Sequence, residues 1–115
     1  MKQDQAEFEI TFFERLLKET PGFVDALGPL AELYTQKGLH KKALVLDRRL
    51  VRLKPEDPVV HYNLACSLAL VGEKDGAFQA LEQAVKLGYR DFRHMHKDSD
   101  LKSLHGDPRF QELIK

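Results

Sequence analysis

The sequence predicts an all-α chain built from antiparallel helix pairs, and three observations carry that prediction. Laid against itself at an offset of 34, the chain pairs Leu30 with Leu64, Ala31 with Ala65, Gly38 with Gly72, Ala43 with Ala77, Val51 with Val85, Leu53 with Leu87 and Asp57 with Asp91. These seven identities stand against about two that composition alone would give, and two helices of about 14 residues with short turns fill such a period. Apolar residues also recur at helical spacing, as in Leu27, Leu30, Leu33 and Tyr34, or Ala77, Leu81, Ala84 and Val85. Gly38 and Gly72, finally, fall at the hairpin turn of each period, where the residue after a helix must enter the left-handed region at low cost.

Helices are expected near 5–19, 24–37, 40–53, 58–71 and 74–87, followed by short ones near 91–97 and 99–104. In the first, Phe13, Leu16 and Leu17 form a stripe that should pack on the next hairpin. In the second, Pro29 lies a turn inside and removes a backbone donor, so with Gly28 beside it that helix should start loosely or late. The third and fifth share a register, since Leu50-Val51-Arg52 aligns with Ala84-Val85-Lys86 and also with Leu16-Leu17-Lys18. A last helix starts at Pro108, because Asp107 is an N-cap residue followed by proline at the first helical position. No linker, low-complexity run or β pattern interrupts the series.

The period and its residues resemble the tetratricopeptide repeat, of the kind found in small bacterial proteins. Residues 24–57 supply Leu27, Leu30, Ala31, Tyr34, Ala43 and Pro55 at the family's positions, and residues 58–91 supply Leu64, Ala65, Leu68, Ala77, Leu81 and Ala84. Departures are Asp47 where an aromatic is usual, Leu50 where a small residue is usual, His61 at an aromatic position and Tyr89 at the closing proline. The resemblance implies a single domain over 1–115, a right-handed superhelix or α-solenoid of about two and a half repeats. Within it, 1–23 is a half repeat, 24–57 and 58–91 are full repeats, and 92–115 is a truncated unit with a helical C-terminal cap.

Composition bounds the function. The 115 residues carry 18 Lys+Arg against 18 Asp+Glu, so no sequence-wide basic footprint speaks for nucleic acid or an anionic membrane. Lys41-Lys42 and Arg48-Arg49, with Arg52 and Lys54, make a local basic helix face, but no aromatics interleave with it and a solvated face accounts for it. The start, Met1 to Glu7, lacks a signal peptide's apolar stretch and no run is long enough to span a bilayer, so a cytoplasmic location is the expectation. One cysteine allows no internal disulfide. His94 and His96 point about 200° apart on a helix, and His61 and Cys66 also miss the i, i+4 spacing of helical metal ligands. Neither a phosphate loop nor a paired-carboxylate pocket is evident, so no metal, cofactor or enzymatic activity is expected.

Stacked helix pairs present a concave face to partners, and in the resembled family the first helix of each repeat lines it. Those positions fall on Asp25, Gly28, Pro29, Glu32, Thr35 and Gln36, then on Val59, Tyr62, Asn63, Cys66, Ala69 and Leu70. In the truncated unit they fall on Arg93, His96 and Lys97. The groove is thus expected to run from acidic through apolar to basic, suiting a peptide with an apolar anchor and a carboxylate. Val59, Tyr62 and Leu70 are its expected apolar contacts, with Arg93 and Lys97 selecting charge. Tyr62 is either an exposed anchor or packed on the neighbouring repeat; Asn63 is a ligand contact or a packing amide; Arg93 and Lys97 are selectors or a solvated face. Some family members clamp the C-terminal carboxylate of chaperones, and Asn63, Arg93 and Lys97 match that clamp in kind while Gly28 and Glu32 break it.

The implied function is therefore that of an adaptor binding a partner protein or peptide. A second reading comes from Phe8 and Phe12, which lack the preceding helix of a full repeat. Two water-exposed phenylalanines forfeit roughly 1.5–3 kcal/mol each and commonly mark an interface. That edge either makes the chain a self-associating subunit, or is covered by the chain's own tail or curvature.

Overall fold

A computed structural model describes residues 4 to 114. Met1-Lys2-Gln3, part of the start on which the signal-peptide expectation rests, and Lys115 lie outside the described residues. The described chain is all-helical: α1 (Gln5–Glu19), α2 (Val24–Gln36), α3 (His40–Leu53), α4 (Pro58–Leu70), α5 (Lys74–Lys86), α6 (Phe92–Lys97), a 3-10 helix (Ser99–Leu104) and α7 (Pro108–Leu113). The boundaries follow the sequence signals closely. Asp57 accepts from the Val59 amide with Pro58 behind it, and Asp107 accepts from the Arg109 amide with Pro108 behind it.

The two glycines at the hairpin turns close their helices as expected. Gly38 has φ 78° and Gly72 φ 87°. After each, the next amide donates back into the helix, Leu39 to the Tyr34 carbonyl (2.8 Å) and Glu73 to the Leu68 carbonyl (2.9 Å). This Schellman closure satisfies carbonyls that a helix end otherwise leaves unpaired. Both α2–α3 and α4–α5 hairpins are built this way, 34 residues apart in phase.

Pro29 does not delay α2, which is helical from Val24. Proline at this position removes the bond its own amide would make to Asp25 and crowds that carbonyl, while Ala26, Leu27 and Leu30 are buried and hold the first turns in place.

Helices pack in consecutive contact, α1 on α2, α2 on α3, α3 on α4 and α4 on α5. Beyond α5 the order changes: the 3-10 helix returns to α4, and α7 lies on α5. α4 is therefore covered on several sides, and only Val59 and Asn63 among its residues are exposed. A helix apolar nearly all round is the sequence form of that burial.

Two apolar clusters result. One gathers Leu17, Leu27, Leu30, Tyr34, Leu46 and Leu50; the other gathers Leu68, Phe78, Leu81, Met95, Leu101 and Phe110. Val51 of α3 packs against both and joins them. The C-terminal cap is locked by Arg109, whose guanidinium lies 4.3 Å from the Phe78 ring and pairs with Asp75 at 2.8 Å and Asp107 at 3.0 Å.

The turn geometry makes a direct prediction. Gly72→Ala should destabilise the fold by about 1–2 kcal/mol, because an L side chain is strained at that φ. Gly28→Ala, helical and with no neighbouring atom near an added Cβ, should instead gain about 0.5–1 kcal/mol. Urea denaturation of the two variants measures both, and opposite signs are the expected outcome.

Candidate functional site

A groove of about 630 Å³ opens between α2, α4 and the segment joining α6 to the 3-10 helix. α2 contributes Gly28, Pro29, Ala31, Glu32 and Thr35 to it, and α3 contributes Asp47. α4 contributes Tyr62, Asn63, Cys66 and Ser67, and the last wall is His94, Asp98 and Asp100.

Helical spacing explains the α2 and α4 walls: Gly28, Glu32 and Thr35, like Tyr62, Asn63 and Cys66, recur at three- and four-residue steps and share one face. Of the partner-binding residues expected from sequence, the groove brings together Tyr62, Asn63 and Cys66. Val59 is exposed at the start of α4 and Leu70 half-buried at its end, and neither lines the groove.

Two expectations need correction. Tyr62 is not an exposed anchor: it is 4% exposed, with its ring stacked on Tyr89 at a centroid distance of 4.4 Å. Its hydroxyl donates to Asp98 Oδ2 at 2.6 Å. Only part of it faces the groove, because Tyr89 supplies a flat partner on its other side.

Arg93 and Lys97 are likewise solvent-exposed and absent from the groove wall. Met95 is the fully buried residue of α6, and positions two removed from it point about 160° away, to the outside. His94 and Asp98 take the inward face instead. The repeat offset set the phase one residue away from the one that the apolar anchor imposes.

Asp98 organises the C-terminal wall. Besides the Tyr62 hydroxyl, its Oδ2 faces His94 Nε2 at 3.3 Å and the Cys66 thiol at 3.7 Å, while its Oδ1 accepts the Asp100 amide at 3.0 Å. Burial, then the hydrogen bond to Asp98, push the Tyr62 hydroxyl up, so it stays a donor. Burial, then the Asp98 charge, push the Cys66 thiol up as well, which leaves it protonated and a poor nucleophile. Asp100 is raised by desolvation first and by the charge of Asp98 second.

Ligand-bearing atoms of Cys66, Asp98 and Asp100 lie within 4.8 Å of one another, a grouping that spacing along the chain did not suggest. The histidine pairs considered from sequence behave otherwise, with His61 Nε2 engaged by the Pro55 carbonyl at 2.8 Å.

Asp47 is the residue the sequence marked only as a departure from a repeat pattern. It is 4% exposed and reaches from α3 to the groove floor, where its Oδ2 accepts from the Ser67 hydroxyl at 2.5 Å. No lysine or arginine among the described residues pairs with it. Desolvation pushes its carboxyl up to about 7, against a smaller opposing pull from Ser67.

Comparison with known proteins adds a partial relationship. No protein-family model matches the chain. Over 85 residues, 71% of the chain, it is 32% identical to a chloroplastic protein of Arabidopsis thaliana. The match spans 25% of that protein's length. No helix among the described residues is long and apolar enough to cross a membrane.

Asp47 sets a pH signature. Its folded-state value lies above the unfolded one, so the folded protein holds a proton between about pH 4 and 7 that the unfolded chain has lost. Stability from this group is therefore greatest below about pH 4 and falls as pH rises to 7. Asp47→Asn should exceed the parent by about 4 kcal/mol at pH 8 and come close to it near pH 4, as read by urea unfolding at the two pH values.

Proposed function

We propose that the chain is a tetratricopeptide-like, right-handed solenoid module that binds an extended segment of a partner protein in the groove between α2, α4 and the α6–3-10 segment. The observation carrying this reading is the groove itself, about 630 Å³ in volume and open along the faces of successive first helices. Recurrence of the same glycine-closed hairpin at a 34-residue phase supports the repeat assignment. A rigid wall is a suitable binding surface because little order must be gained when a partner arrives.

No catalytic or cofactor role belongs to this reading: the thiol is held protonated, and Asp47 and Asp98 accept from the Ser67 and Tyr62 hydroxyls. Nucleic acid is an unsuitable ligand, since no lysine or arginine lines the groove. The module works in an aqueous compartment, the cytoplasm being the expectation from the sequence; the relative's name places that protein in the chloroplast.

One observation favours a second reading. Phe8 is 59% and Phe12 51% exposed on α1, next to the half-buried Phe13. Among the described residues neither the tail nor the curvature of α1 covers them, and a second copy meeting this edge would make the chain a self-associating subunit.

The two readings separate experimentally. Sedimentation of the parent chain and of Phe12→Glu tests the edge, with a dimer expected from the parent and a monomer from the variant if α1 is the contact. Capture of a partner segment by the parent, lost in Asn63→Arg while Phe12→Glu retains it, is the outcome expected of the groove. Equal capture by Asn63→Arg would sink the groove reading.

A further inference from the structure

We infer that the groove recognises a positively charged side chain, a lysine or arginine carried on the partner segment; this rests on the groove reading above and specifies its ligand. The lining holds four carboxylates, Glu32, Asp47, Asp98 and Asp100, and no lysine or arginine; His94 is its one basic group. They come from α2, α3 and the α6–3-10 segment, so the acidity surrounds the opening instead of belonging to one capping turn. That reverses the anionic ligand implied by the repeat positions of Arg93 and Lys97.

Asp47, one of these four, is the most deeply buried of them. Once ionised, a carboxylate 4% exposed costs the fold desolvation, and such groups are normally paired with a cation. Here Oδ2 has the Ser67 hydroxyl, while Oδ1 has no hydrogen-bond partner among the described residues. Asp47 is among the residues lining the groove, so its carboxyl group is presented to that space. An acceptor in that position lacks a donor, and a guanidinium or ammonium group carries several.

The dimensions suit a side chain. A cavity of about 630 Å³ far exceeds a bare ion, and the mixed wall of Tyr62, Pro29, Ala31 and Cys66 can take the aliphatic stem of lysine or arginine. Asp98, already engaged by Tyr62 and by the Asp100 amide, holds the wall in place. Glu32, Asp47 and Asp100 keep acceptors for the incoming charge.

The test uses the whole chain in chelator-treated buffer, with ¹⁵N-resolved titration by three blocked nonapeptides of alanine and glycine. They carry two arginines, two glutamines or two glutamates at the same positions. The arginine peptide should shift the amides of Thr35, Asn63, Cys66 and Asp100 in a saturable way, with at least tenfold weaker binding by the glutamine peptide and none by the glutamate peptide. Glu32→Gln/Asp47→Asn/Asp100→Asn, which removes three charges without touching the Tyr62–Asp98 bond, should lose that preference while keeping its fold by circular dichroism. Equal shifts at these amides from the arginine and glutamine peptides would overturn the inference and leave the groove as a peptide site. Shifts confined to other surfaces would overturn both the inference and the groove reading.

Discussion

Burial of α4 on several sides is the constraint on which the rest of the structure depends. It receives α3 on one side and α5 on another, and the 3-10 helix closes over it. Nine of its residues, Val60, His61, Tyr62, Leu64, Ala65, Cys66, Ser67, Leu68 and Ala69, are consequently buried, polar ones among them. Each buried polar group must find a partner inside the protein, and each does so with a different neighbour. His61 turns to the Pro55 carbonyl, Ser67 to Asp47 of α3, and Tyr62 to Asp98 beyond α6. These bonds fix the distance from α4 to the segments that wall the groove, so the packing requirement and the shape of the groove are one arrangement.

Most of the fold was legible because its determinants are local. Helix starts at Asp57-Pro58 and Asp107-Pro108, helix ends at Gly38 and Gly72, and a 34-residue recurrence of small and large apolar residues all act within a turn or a hairpin. Pro29 was misleading because a local cost was judged without the burial of Ala26, Leu27 and Leu30 that offsets it.

The groove was legible only in part. Its α2 wall follows from helical phase, and the same phase places Tyr62, Asn63 and Cys66 on one face of α4. Its C-terminal wall was not legible, since α6 is six residues long and its rotation is decided by a single buried anchor, Met95. A sequence read by repeat offset cannot weigh that anchor; asking which residue of Phe92–Lys97 must be buried would have moved the assignment from Arg93 and Lys97 to His94 and Asp98. Asp47 was visible as an anomaly from the start. An acidic residue where the resembled repeat usually has an aromatic was the one available signal that the groove floor carries a carboxyl group.

The bridging of the two apolar clusters by Val51 has a consequence for how the chain opens. Val51 packs against both, but α1 touches the rest chiefly through α2, at the far end of the series. Cooperativity therefore weakens with distance from α3 and α4. Amide exchange should be slowest around Leu64 to Leu68 and progressively faster toward α1, whose opening uncovers Leu17 and the face of α2 without disturbing the groove's far wall. In this sense α1 is a detachable edge on a durable centre, and a protease meeting the chain would find its first cleavable state there.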